Sequence, residues 1–177
     1  MKKITIIAVL LALTWQANAQ QERSEVPLEN RHEIKLDPAH LIAGTLRIDY
    51  EYLLNDWSSV GLGVFYNFSR TNDYGTYYRT KFLGFYRLYF GRRPSSGFFL
   101  EGNLGVVSGF YSDWWSSYPS NRGDFTAFGT GIALGWKWYI PRAGIVLDVF
   151  GGGGRLFGGD DRPNMYPRFG ISVGKRF

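Results

Sequence analysis

The stretch Ile42-Ala43-Gly44-Thr45-Leu46-Arg47-Ile48-Asp49-Tyr50-Glu51-Tyr52 decides the fold. Ile42, Gly44, Leu46, Ile48, Tyr50 and Tyr52 take alternate positions, with Ala43, Thr45, Arg47, Asp49 and Glu51 between them. Successive side chains of an extended strand point to opposite faces of a sheet. This segment therefore has one apolar face and one charged face.

The same period of two recurs downstream. Val60, Leu62, Val64, Tyr66 and Phe68 mark one apolar face, and Tyr78, Thr80, Phe82, Gly84, Tyr86, Leu88 and Phe90 another. Phe98 to Val106, Phe128 to Trp138, Ile145 to Val149 and Phe169 to Phe177 repeat it, with Lys175 the one polar residue on the last apolar face. A weaker strand lies within Arg31 to Asp37, where Ile34 and Leu36 alternate with Glu33, Lys35 and Asp37 before Asp37-Pro38 ends it. Connections at Leu54–Trp57, Gly91–Ser96 and Pro141–Ala143 are short. Those at Ser69–Thr76, Ser112–Gly123 and Arg155–Tyr166 are long and polar. Short turns on one side and long loops on the other are the habit of membrane barrels. The expected fold is all-β, an eight-stranded antiparallel up-and-down transmembrane β-barrel over residues 31–177.

Alternation alone does not say which face is inside, because a soluble barrel turns its apolar face inward. Glycines decide in favour of a charged interior. Gly61, Gly63, Gly105, Gly129, Gly131, Gly135, Gly152, Gly170 and Gly174 fall on the polar face, where a narrow lumen needs space for long side chains. Aromatic residues support this. Tyr50, Tyr52, Tyr86, Phe90, Phe98, Trp136 and Trp138 gather at one rim; Tyr66, Phe68, Tyr78, Phe110 and Phe169 gather at the other, with aliphatic residues between. Two aromatic girdles around an aliphatic band match the two interfaces of a bilayer. The runs are about 10 to 14 residues long, enough to cross a bilayer when tilted. The mean hydropathy of −0.19 fits strands that are apolar on one side only.

The N-terminal residues have the layout of a secretory signal peptide. Lys2 and Lys3 precede the 12-residue apolar run Ile4–Trp15, and Ala17-Asn18-Ala19 supplies small residues at a cleavage site. That run is too short to span a membrane as a helix. Residues 1–19 are expected to be removed, leaving a flexible polar tail over 20–30. There is no cysteine, which removes lipid attachment, disulfides and thiolate metal sites. Loss of Lys2 and Lys3 takes the formal charge from +5 to +3, too mild and too scattered for a nucleic-acid partner.

Glu33-Ile34-Lys35-Leu36-Asp37-Pro38, leading through Gly44 to Tyr50-Glu51-Tyr52, resembles the opening of small outer-membrane β-barrel proteins of Bacteroidota. The final segment Gly170–Phe177 is similar to the signal that barrel-assembly machinery reads, with Phe177 as its terminal aromatic and Lys175 as a departure from it. The resemblance implies a cell outer-membrane location, with outer-membrane lipid and the assembly machinery as partners. It implies no chemistry.

Candidate functional residues lie on the polar face. Lys35, Arg47, Arg79, Lys81, Arg87, Lys137, Arg168 and Arg176 are basic; Glu33, Asp49, Glu51, Glu101 and Asp148 are acidic. Buried charges need partners, so the reading is a lumen charge network centred on Arg47, Asp49, Glu51, Arg79, Lys81, Arg87, Glu101, Lys137 and Asp148. The alternative is a narrow anion-favouring channel. An enzymatic role is not expected, because without cysteine a nucleophile needs serine and a base, and His32 and His40 have no evident serine partner. No metal and no cofactor is expected: Gly151–Gly154 lacks the Lys-Ser/Thr of a phosphate loop. Trp114, Trp115 and Tyr118 offer a loop surface to another envelope protein. The expected role is therefore structural or accessory, with a lumen filled by side chains.

Overall fold

The computed structural model describes residues 30–69, 77–112, 122–158 and 163–177. Eight strands are present: β1 (His32–Leu36), β2 (Thr45–Asn55), β3 (Ser58–Asn67), β4 (Tyr77–Tyr89), β5 (Gly97–Ser112), β6 (Arg122–Ile140), β7 (Ile145–Phe157) and β8 (Met165–Arg176). Each pairs antiparallel with the next, and β8 returns to β1, closing an up-and-down barrel. The expected eight-stranded antiparallel up-and-down barrel is the observed architecture. The residues read as signal peptide (1–19) and most of the tail (20–29) lie outside the described residues.

Polarity is inverted relative to a soluble barrel. Ile34, Leu62, Leu104, Ile132, Leu134 and Val173 are exposed on the outer surface, whereas Glu33, Glu51, Arg87, Glu101 and Asp148 inside are fully buried. The glycine pattern has the physical basis expected of it. A Cβ on Gly135 would stand 2.5 Å from both Phe150 Cβ and Phe99 Cζ, and one on Gly170 would stand 2.5 Å from Arg47 Nη1. On the outer face, a Cβ on Gly102 or Gly151 would meet nothing within 4 Å.

Two departures from strict alternation matter. Ile42, Ala43 and Gly44, expected at the start of a strand, are not extended: Pro38–Ile42 forms a one-turn helix, α1, and β2 begins at Thr45. The cause is local. Asp37 caps the helix by accepting from the His40 backbone N–H at 3.0 Å, and Pro38 in the first turn has φ preset for helix and needs no N–H partner. Gly44, at φ +77°, turns the chain into β2.

The second departure is a bulge in β4. Tyr78 opposes Gly109 and Thr80 opposes Ser108, leaving Arg79 unpaired between them. The extra residue flips the side-chain parity beyond it. Arg79, expected in the lumen, is exposed and lies over the Phe110 ring at 5.0 Å. Tyr78, expected in the outer girdle, turns inward against Phe125.

The wall is uneven in height. β1 pairs with β8 only from Glu33↔Arg176 to Leu36↔Val173, while β8 continues to Met165 and β2 to Thr45. Above Leu36 no strand among the described residues joins β2 to β8, and α1 stands in the break.

Candidate functional site

The charged residues that face inward form two storeys. The lower storey, toward the short turns, is centred on Glu51. Its Oε1 accepts from Lys137 Nζ at 2.7 Å, Ser59 Oγ at 2.5 Å and the Tyr89 hydroxyl. Its Oε2 accepts from Arg87 Nη1 at 3.0 Å and from Lys35 Nζ. Asp148 Oδ2 takes Lys35 at 2.8 Å and Arg87 at 2.6 Å. Glu33 holds Lys137 at 2.8 Å and Arg176 Nη2 at 2.7 Å. The Arg87 guanidinium also lies 4.3 Å from the centre of the Phe99 ring, which adds a cation–π attraction.

Beneath this storey the β4–β5 turn folds across the mouth. Ser95, fully buried at φ 45°, is held by its N–H on Asp56 O at 2.6 Å and its hydroxyl on Asn55 O at 2.9 Å. Its own carbonyl accepts from Arg176 Nη2 at 3.2 Å. Each carboxylate of this storey is matched by more than one cation.

Glu101 links the storeys. It accepts from Arg87 Nε at 2.9 Å below and from Arg168 Nε at 2.8 Å above. In the upper storey Arg47 donates through Nε and Nη2 to Asp49 Oδ2 at 3.1 and 2.8 Å, and through Nη1 to Phe169 O at 2.6 Å. Lys81 differs from the other buried cations. Its Nζ donates to Pro167 O at 2.9 Å and lies over the rings of Phe65 and Tyr78 at 4.5 and 4.7 Å. Among the described residues no carboxylate lies within ion-pair distance of it, although it is only 7% exposed.

A pocket of about 500 Å³ occupies the upper lumen, lined by His40, Arg47, Phe65, Lys81, Phe150 and Arg168 among others. His40, for which the sequence offers no serine partner, borders this pocket. It stands on α1 with Nδ1 2.8 Å from Asp37 Oδ2 and packs edge-on to Phe65. The sequence places Asp37 on the polar face with Glu33 and Lys35 but not among the lumen charges; its Oδ2 accepts from the Ile171 N–H at 3.0 Å. The signal was Pro167 in the last strand: proline gives a ladder no N–H and is confined to strand edges.

Of the candidate residues, Arg47, Asp49, Glu51, Lys81, Arg87, Glu101, Lys137 and Asp148 come together in the lumen, and Arg79 does not. Trp114, Trp115 and Tyr118 lie outside the described residues. His32 stacks on Phe177 at 5.8 Å between centroids, and the two backbones exchange hydrogen bonds at 3.0 and 2.8 Å. Phe177 thus continues the β1–β8 seam with its ring half exposed.

No family model matches the chain and no curated protein matches it. Among solved structures, the N-terminal β-barrel domain of Pseudomonas aeruginosa OprF is similar in fold, at 16% identity and a TM-score of 0.45, covering 84% of this chain and 98% of that one.

Proposed function

We propose that the chain is an integral outer-membrane barrel with a structural or accessory role, its lumen blocked at the periplasmic end. The observation that carries this is the inverted polarity: an apolar outer belt surrounds a closed ladder whose interior charges are all desolvated. Exposed apolar surface of this extent is stable only where lipid replaces water. A closed barrel can enter lipid because strand pairing leaves it no long open edge, and beside β8, where β1 ends, side chains take backbone groups instead. Aromatic residues such as Trp136, Trp138, Tyr50 and Phe98 stand exposed toward the short-turn end, where a headgroup region would favour them.

The accessory role is supported by the lower storey, where the charges of Glu33, Glu51 and Asp148 are spent on neighbouring cations. The test is reconstitution into phosphatidylcholine vesicles. The folded chain should resist added protease and should migrate differently on SDS gels before and after boiling. Quantitative recovery in the aqueous fraction without detergent would overturn the reading.

A further inference from the structure

The break in the wall beside β8 is finished in an unusual way. Four residues of β8 turn backbone groups toward the place where β1 is missing, and a side chain pairs with one such group of each. The Tyr78 hydroxyl donates to Met165 O, Lys81 Nζ to Pro167 O at 2.9 Å, and Arg47 Nη1 to Phe169 O at 2.6 Å. The Ile171 N–H donates to Asp37 Oδ2 at 3.0 Å. Tyr78 and Lys81 reach there from β4, across the lumen. Among the described residues only α1 stands in the gap; none of its residues is buried, and Ile42 is 90% exposed. Behind it lies the 500 Å³ pocket, a size that suits a small ligand.

The charge inventory says what kind of ligand. Among the described residues seven basic side chains are buried in the barrel against six acidic ones, Asp37 included. Lys35, Arg47, Arg87, Lys137, Arg168 and Arg176 each pair with a carboxylate, so the buried cation left without an anionic partner is Lys81. An ammonium has three N–H donors, and Lys81 spends one on a carbonyl. A desolvated cation without an anion is costly; Phe65, Leu83 and Phe150 supply apolar wall beside it, and Arg47, Asp49 and Arg168 also line the pocket.

We propose that this pocket binds a single-chain amphiphile with a carboxylate head, fatty-acid-like in chemistry, with its head on Lys81 and its route sideways from the lipid past α1. The proposal rests on the membrane reading above.

The test uses the full chain in phosphatidylcholine nanodiscs and radiolabelled decanoate in equilibrium dialysis, with empty discs subtracted. One saturable site is expected. Lys81→Gln should weaken it at least tenfold, and Lys81→Arg should keep it within about threefold. Decanol should show no saturable binding and acetate should not compete. A phospholipid with an ω-carboxylated acyl chain, unable to leave the bilayer, should compete. Unchanged binding in Lys81→Gln, or acetate competing as well as decanoate, would overturn the site. No competition by the tethered carboxylate would overturn the lateral route. Failure of the chain to insert at all would overturn the membrane reading instead, so the two failures are separable.

Discussion

At the residue scale, space inside the barrel is allotted atom by atom. Gly170 leaves room for Arg47 Nη1 and the Phe150 ring, 2.5 and 3.1 Å from where its Cβ would be. Gly170→Ala should therefore cost roughly 1–3 kcal/mol, as overpacking does, while Gly102→Ala on the outer face should change stability by less than about 0.5 kcal/mol. Urea unfolding in vesicles, followed by tryptophan fluorescence, distinguishes them; equal effects would contradict the lumen packing. Charge is allotted as tightly. Glu51 holds Lys35, Lys137 and Arg87, and removing one partner from a buried ionic cluster costs about 3–5 kcal/mol. Glu51→Ala should lose about that much in the same assay. Arg79→Ala should lose almost nothing, because the bulge puts that side chain outside.

At the scale of elements, α1 and the bulge in β4 shape the upper lumen together. Asp37 caps α1 and also accepts from the edge of β8. Asp37→Ala removes a cap worth about 1 kcal/mol and leaves the Ile171 N–H unpaired, at a further cost of roughly 1–3 kcal/mol. Amide exchange should quicken at Ile171 and stay slow at Val173, which β1 still pairs. Uniform quickening along β8 would mean that Asp37 supports the whole seam rather than its open end. The bulge has a complementary part. By shifting parity at Arg79 it turns Tyr78 inward, where it flanks Lys81 and donates to Met165 O.

At the scale of the molecule, the two storeys make a vessel closed at one end. Buried ion pairs occupy the lower lumen and Ser95 with its turn packs beneath them, and the proposed structural role predicts no continuous path for ions. Planar-bilayer recordings of the reconstituted chain should stay silent over the voltage range the bilayer withstands. Steady unitary conductance in the intact protein would show that the lower storey opens.

Strand number, antiparallel order and the identity of the inner face were legible in the sequence. They follow from a side-chain period of two, the polar position of the glycines and the alternation of short and long connections, all local properties of the backbone. The ion-pair partners were not legible. Lys35 and Asp148 lie far apart in the chain and meet only because β8, paired to both β1 and β7, brings them to one level. Arg79 was misread because a bulge adds one residue without altering the local pattern. The wall break was written faintly, in Asp37-Pro38 and Pro167, but only barrel closure decided that these two signals face the same gap. Closure also decided that Lys81 stands across the lumen without a carboxylate, since electrostatic balance belongs to the enclosed volume and not to any one strand.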